Sequence, residues 1–486
     1  MSRTRTLDAA VVGSGPNGLA AAVLLARSGL SVAVYEAAVE PGGGARSARL
    51  FDADVVHDVC SAVHPMAAAS PFFRQFDLSA HGVELCHPEV AYAHPIDEHR
   101  TAIAYADLER TCARLGVDSA RWRRFMTPLV AHTDEVTEAL LGDRRHLPQP
   151  RTAALLASRI LGTGAFRSTE AQALLAGLAA HTLGRLPSPV GSGIAVLLGH
   201  LAHTTGWPVP RGGSETLTDA LVADLCAHGG RVHTDARVTD LRQLAHARVV
   251  MLDLAPRGFL DIAASLLPDG YRRALQRVKY GPAAAKVDFL VSEPIPWRDP
   301  ELHHAGTVHL GGTREAVYAA ENAVAAGRRA PDPFVLLAQP MAADPSRGLP
   351  QKQPIWAYAH VPHGDPLDAT EVVRRRIEQF APGFGDTVRA SRAVPASELE
   401  AYNANYVGGD IAATAVTVRQ ALARPIARWN PHRTPLSGVY LCSAATAPGP
   451  GVHGMCGWYA AKAALHREFG LDLPPGYRFG RTSPVS

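Results

Sequence analysis

The stretch from Ala9 to Glu36 constrains this chain more than any other. Ala9 to Val12 form a short apolar run of strand type. It passes directly into Gly13-Ser14-Gly15-Pro16-Asn17-Gly18, then into a helical Ala- and Leu-rich segment, Leu19 to Ser28. A second strand, Leu30 to Tyr35, ends at Glu36. Strand, glycine turn, helix, strand and acid stand in the order a dinucleotide fingerprint requires. Gly13 permits the tight turn, Gly15 lets the backbone approach a pyrophosphate, and Gly18 lets helix and sheet pack closely. Pro16 and Asn17 complete the loop, whose helix-start N–H groups face negative phosphates. Glu36 is placed to accept hydrogen bonds from ribose hydroxyls.

At 486 residues the chain exceeds one compact core, and two intimately joined domains are expected. With 47% apolar and 19% charged residues, it reads as an ordinary globular protein. A net charge of +3, spread thinly, lacks the concentrated basic face of a nucleic-acid binder. Six cysteines, at 60, 86, 112, 226, 442 and 456, include no Cys-x-x-Cys pair. Neither a zinc site nor a redox disulfide is suggested. No signal-peptide pattern opens the sequence, and no apolar run reaches the ~20 residues that span a bilayer. The expectation is a cytoplasmic protein, with peripheral membrane contact left open and oligomeric state unassigned.

A second glycine segment, Glu40-Pro41-Gly42-Gly43-Gly44-Ala45-Arg46, follows the acid. Here the sequence resembles the FAD-dependent oxidoreductases of the phytoene dehydrogenase and amine oxidase group, over nearly the whole chain. It resembles most closely the branch that includes pyridine nucleotide-disulfide oxidoreductase domain-containing protein 2. The resemblance implies FAD as cofactor, with Gly43, Gly44 and Arg46 among its contacts. It also implies that Val238 touches the adenine through its backbone. Toward the C-terminus, Gly449-Pro450-Gly451-Val452-His453-Gly454-Met455 precedes an Ala-rich helix. A helix N-terminus carries about half a positive charge; aimed at the flavin pyrimidine edge, it would stabilise negative charge there. The resemblance makes this segment the C-terminal flavin motif, with Gly451, Val452 and Met455 at the cofactor. It departs at Ala444 and Ala445, where amine oxidases commonly carry an acidic residue.

The fold class expected is α/β: a Rossmann-type FAD-binding domain with a mixed α+β substrate domain, an antiparallel sheet plus a helical insertion. The nucleotide domain is discontinuous, residues 1–70, 205–265 and 431–470. Residues 71–204 and 266–430 make the substrate domain, and 471–486 a tail. Within 71–204, helical spacing is read over Glu109 to Thr133 and Leu140 to Phe166. The charge-poor stretch from Ala171 to His203 reads as a buried helical core, an apolar substrate channel, or a membrane-dipping face near Arg144, Arg145 and Arg151. A helix is expected over Glu215 to Ala227, then an alternating strand running to Val238 and another over Ala247 to Leu254. The antiparallel sheet is expected to include Ala284 to Val291, Gly306 to Leu310, Phe334 to Gln339 and Ile355 to His360.

Lys286 and His453 are the leading catalytic candidates. Lys286 stands in an apolar strand, where an ammonium is costly without a partner; the resemblance implies a water held against the flavin, the alternative being a salt bridge. His453 lies inside the C-terminal glycine loop, placed to donate to the flavin or act on substrate. His64 is a weaker candidate. His303, His304 and His309 lack a carboxylate or cysteine to complete a ligand set, so no metal site is expected. Tyr402 to Tyr406 and Gly408-Gly409-Asp410 are expected on the substrate side of the flavin by family analogy. The resemblance favours a desaturase or dehydrogenase acting on an apolar, carotenoid- or lipid-like small molecule. A redox-neutral polyene isomerase, an amine oxidase-type reaction and a non-catalytic FAD-stabilised scaffold are the alternatives.

Overall fold

The computed structural model describes residues 6–143, 145 and 147–477. The strands Leu7–Val12, Val32–Tyr35 and Ala247–Leu252 are nearly continuous apolar runs, as suits parallel strands covered on both faces. They form the centre of a five-stranded parallel sheet with the order Val439–Leu441, Ala247–Leu252, Leu7–Val12, Val32–Tyr35, Arg231–His233. Ala9 and Val11 face one core with Val34, Leu217 and Trp458. Ala10 and Val12 face a second with Val250, Leu252 and Phe259.

Helix Pro16–Arg27 is buried from Asn17 to Ala26, because it is sandwiched between this sheet and two further helices, Glu215–Ala227 and Met455–Ala464. The approach is closest at Gly457, where a Cβ would stand 2.0 Å from the Asn17 carbonyl oxygen. Only a residue without a side chain permits that crossing.

A seven-stranded sheet forms the other half, in the order Val388–Val394, Ala283–Val291, Gln353–Val361, Val335–Ala338, Thr307–Leu310, Val90–Pro95, Thr101–Tyr105. Its pairings are antiparallel except that of Thr307–Leu310 with Val90–Pro95. Alternation splits the sheet chemically. Val287, Phe289, Val308, Leu310, Val335, Ile355 and Ala357 turn to a purely apolar core. Lys286, Asp288, His309, Trp356, Tyr358 and His360 occupy the alternate positions and so share the other face.

The fold is thus the α/β arrangement expected, with a parallel nucleotide-type sheet and an antiparallel one. Several local readings are corrected. The stretch 71–204 is largely helical, as expected, but it also supplies a hairpin that the sequence reading did not include, Val90–Pro95 and Thr101–Tyr105. Its alanine-rich strands show little alternation, and Asp97 closes the turn by accepting from the His99 and Arg100 N–H groups. The helix expected over Glu109 to Thr133 divides into Leu108–Ala113 and Ser119–Ala131, parted near Gly116, where φ is +52°. That expected over Leu140 to Phe166 is Pro150–Gly162, preceded by a separate Thr133–Leu141. The strand read as far as Val238 ends at His233, before Asp235 at φ +51°. Strand Val388–Val394 was not expected; its exposed arginines and serine mask it. Helix Glu215–Ala227 has the expected bounds.

The charge-poor stretch folds as helices Thr169–Ala180 and Pro189–Ala202, largely buried. Of the arginines linked to a membrane-dipping face, Arg144 lies outside the described residues. Arg145 is paired with Asp143, and Arg151 lies 3.5 Å from Glu135. Residues 478–486 of the expected tail also lie outside the described residues. Among the described residues, no helix is long and apolar enough to cross a membrane.

Candidate functional site: a dinucleotide turn opening into a long cavity

The glycine turn sits at the carboxyl ends of the parallel strands, where open α/β sheets bind ligands. Gly13 adopts φ +94°, a conformation that L side chains rarely take. Gly18 is a packing residue: a Cβ there would meet the Gly13 carbonyl oxygen at 2.3 Å. Glu36 stitches the turn. One carboxylate oxygen accepts from the Ser14 N–H (2.9 Å) and hydroxyl (2.6 Å), the other from the Ala38 N–H (2.9 Å). The Gly42 N–H donates to Ser14, so the second glycine segment is fastened to the first.

Around this turn lies a cavity of ≈ 1170 Å³, larger than the roughly 300–1,000 Å³ usual for a single small ligand. Gly13 through Asn17, Glu36, Gly43, Gly44, Arg46 and Val238 line it. So do Gly451, Val452 and His453, and on the antiparallel sheet Thr307, Leu336, Trp356 and Tyr358. Leu147, Ile160, Val190 and Leu422 also belong to its wall; Leu147 and Leu422 are highly exposed.

One residue of this site was not read in the sequence, and another was read without its partners. Asp253 ends strand Ala247–Leu252 and accepts the Gly18 N–H at 3.0 Å. Burial pushes its carboxyl up to about 7, and Glu36 adds to the shift. The available signal was an apolar strand ending in a lone acid, the pattern already used for Glu36. Asn405 joins distant segments: it donates to the Asp253 carbonyl (2.9 Å) and accepts the Ala255 N–H (2.7 Å). No local pattern announces that pairing. The neighbouring Tyr402 hydroxyl donates to the Gly43 carbonyl at 3.0 Å. Arg46 donates to the Gly43 and Tyr402 carbonyls and stacks over the Tyr402 ring. The 402–406 segment thus clasps the glycine turns. Asp410, off the cavity wall, accepts the Gly281 N–H.

The two catalytic candidates part company in the structure. Lys286 is buried and absent from the cavity wall. Its ammonium pairs with Asp288, two residues on along the same strand face, and lies 5.1 Å from the Trp356 ring centre. Burial lowers its pKa while Asp288 opposes the shift. The salt-bridge alternative describes it. His453 does reach the cavity, but both ring nitrogens are committed. Nδ1 accepts the Met455 N–H at 3.0 Å, so Nε2 carries the proton and donates to the Gly449 carbonyl at 3.1 Å. Burial holds it down to about 4. It buckles its own loop, with its Nε2 proton and its Nδ1 lone pair both spent on backbone groups, which corrects the acid–base reading. Met455 begins helix Met455–Ala464 with a fully buried side chain and does not line the cavity; its contribution is the N–H that His453 holds.

His64 lines the cavity too. Ser214 Oγ donates to the Ser61 carbonyl and therefore accepts from His64 Nε2 at 2.8 Å. All six cysteines are free thiols, and burial pushes Cys60, on the cavity wall, up to about 12. Among the described residues no cluster of three or more metal-ligating side chains exists.

These features, a glycine turn, a strand-end acid and a long cavity crossing both sheets, form a site for a flavin or pyridine-nucleotide cofactor. A family model described as an NAD(P)-binding Rossmann-like domain matches residues 11–76. The pyridine nucleotide-disulfide oxidoreductase domain-containing protein 2 of Rattus norvegicus is 25% identical over 545 aligned residues, covering 93% of this chain and 92% of the rat protein. Among solved structures, cyclohexylamine oxidase from Brevibacterium oxydans superposes with a TM-score of 0.59 at 15% identity, over 95% of this chain and 98% of the oxidase. Putrescine oxidase bound to putrescine gives 0.57 at 16% identity, over 94% and 98%. The chain is therefore similar over nearly its whole length to the pyridine nucleotide-disulfide oxidoreductase domain-containing protein 2, and its fold is like that of cyclohexylamine oxidase and putrescine oxidase.

Proposed function

We propose that this chain is an FAD-dependent oxidoreductase that removes a hydride from an apolar, lipid- or carotenoid-like small molecule. One observation carries the reading: a single cavity runs from the dinucleotide turn to a wall of aromatic and aliphatic side chains on the second sheet. Gly13, Gly15, Asn17, Glu36 and Val238 would hold the adenosine diphosphate part of FAD. Gly43, Gly44, Arg46 and the Gly451–His453 loop would hold the remainder. The cradle fits such a group, because Gly15 and Gly43 keep side chains out of the cavity floor; a Cβ on Gly43 would meet the Gly15 Cα at 2.9 Å. Bound FAD supplies the hydride acceptor.

The chain's own residues position and dehydrate. Leu336, Trp356, Tyr358, Ile194 and Leu198 line the cavity and exclude water from the reacting carbon, while shape fixes its C–H bond. Cysteine chemistry is not called on, the wall thiol being held protonated. The exposed Leu147 and Leu422 at the wall support entry of an apolar molecule, and peripheral contact with a lipid surface is part of the proposal. The reported oxidase folds make amine-type C–N oxidation the second reading.

The test is anaerobic titration of the FAD-loaded protein with lipophilic alkenes and polyenes, and separately with alkylamines. Bleaching of the flavin absorbance by the first set supports the proposal. Bleaching by amines alone selects the second reading. Turnover of a polyene without bleaching or net oxidation selects an isomerase, and inertness to all of them a scaffold.

A further inference from the structure

His181 follows helix Thr169–Ala180 and lines the cavity, as do Thr307 and Trp356; Thr307 precedes His309 by two residues on one strand face and is aligned with Trp356 across Ala338. Its Nε2 lies 3.1 Å from Nε2 of His309, and the Trp207 ring stands edge-on to it. His309 and His94 project from neighbouring strands, their rings 6.1 Å apart. Nδ1 of each lies within 2.7 Å of where a Cβ on Gly177 would be, so glycine there lets helix Thr169–Ala180 ride over the pair. Four polar atoms here are buried without hydrogen-bond partners among the described residues: Nδ1 of His94, Nδ1 of His309, Oγ1 of Thr307 and Nε1 of Trp356. Buried polar groups are ordinarily satisfied. Nδ1 of His94 and Nδ1 of His309 are covered by Gly177, whereas Thr307 and Trp356 line the cavity, and it is these two that mark a place where a ligand's polar group belongs.

The tautomers follow from the contacts. His94 Nε2 lies 2.8 Å from the Gly312 carbonyl, which only accepts, so Nε2 carries the proton and Nδ1 is bare. His309 Nδ1 faces the same glycine, and two lone pairs turned together would repel; its proton belongs on Nδ1. Nε2 of His309 is then the acceptor and Nε2 of His181 the donor. That leaves Nδ1 of His181 as a bare acceptor. Burial lowers the pKa of all three rings, His181 to about 3 and His94 to about 4, keeping them neutral.

We propose that His181, oriented by His309 and flanked by the Thr307 hydroxyl and the Trp356 indole N–H, recognises an uncharged hydroxyl group on an otherwise apolar substrate. The group donates to His181 and accepts from Trp356 or Thr307. Among the described residues, the wall formed by the antiparallel strands carries no charged side chain; Lys286, against Trp356, is paired with Asp288. A carboxylate or ammonium end would be desolvated there without a counter-charge. His181 is a specificity residue and His309 a positioning residue. The inference rests on the apolar-substrate reading above and names its chemical class.

The experiment is calorimetric titration of the FAD-loaded protein with octan-1-ol, 1-methoxyheptane, octylamine and octanoate. The ether keeps length and acceptor but cannot donate. The alcohol is expected to bind about 3–10-fold tighter than the ether, the net worth of one hydrogen bond, and tighter than either charged probe. His181→Phe should erase the difference between alcohol and ether while retaining FAD. Equal binding of alcohol and ether, a preference for octanoate or octylamine, an undiminished alcohol preference in H181F, or failure of every probe to bind overturns the proposal. The wild-type series decides the matter even where H181F does not fold. Absence of FAD from the wild-type protein would sink the underlying reading as well, and absorbance distinguishes the two failures.

Discussion

At the residue scale, the account turns on which buried charges have partners. Asp253 sits at the start of helix Pro16–Arg27, where a dinucleotide's phosphates would add negative charge. Its carboxyl, raised to about 7, holds a proton in the folded chain that the unfolded chain has lost above about pH 4. Native stability from this group therefore falls as pH climbs from 4 through 7. A bound pyrophosphate raises the same pKa further, so FAD binding takes up protons. FAD affinity should weaken by up to about tenfold per pH unit above 7, and Asp253→Asn should flatten the slope. Fluorescence titration between pH 6 and 9 reads both; a pH-independent wild-type Kd would contradict it. Lys286 and Asp288 make a second case. Lys286→Met strands a buried carboxylate and should cost about 3–5 kcal/mol in denaturant unfolding, whereas K286M with Asp288→Leu should recover most of it. If Lys286 acted on the substrate instead, the double variant would stay stable but lose flavin reduction. The glycine turn and Glu36 were legible because their roles are local in sequence. The partners of Lys286 and His453 were not: one depends on strand register, the other on how a loop closes on itself.

At the element scale, the Rossmann-type unit was readable because periodicity, glycine placement and a terminal acid agree over a few dozen consecutive residues. The hairpin Val90–Pro95 and Thr101–Tyr105 escaped because Ala-Tyr-Ala-His and Ala-Ile-Ala-Tyr carry little contrast between faces. Their strand character comes from pairing with Thr307–Leu310 and with each other, information that no local window contains. The polar face of the antiparallel sheet was partly legible: Thr307-Val308-His309 and Trp356-Ala357-Tyr358-Ala359-His360 alternate chemistry-bearing with apolar residues. His309 was weighed only against a metal site and His360 was read only as a strand end, so that alternation went unread. A test at this scale addresses the helix crossing at Gly457. Gly457→Ala forces helices Pro16–Arg27 and Met455–Ala464 apart, with an expected cost of about 1–3 kcal/mol. Both a lower Tm and weaker FAD retention should follow, since Pro16 of the first helix lines the cavity and the second helix follows the Gly451–His453 loop that does. A fall in Tm with FAD affinity unchanged would uncouple the crossing from the site.

For the whole molecule, the decisive feature is that segments far apart in the chain converge on one cavity. Strands from residues 7–35, 231–252 and 439–441 build the nucleotide side, and strands from 90–105 and 283–394 build the other. The 402–406 segment fastens to the glycine turns through Tyr402, Arg46 and Asn405. That convergence makes one cofactor the common support of both halves, so its binding should stabilise the molecule as a unit. The most direct measurement is the cofactor content of the purified protein, by absorbance after gel filtration, for wild type and for Glu36→Ala. The account predicts one FAD per wild-type chain, not displaced by excess NADPH, a single thermal transition raised by added FAD, and sharply reduced retention in E36A. Wild-type protein that is folded yet colourless and takes up no FAD, or that binds NADPH in its place, would contradict it.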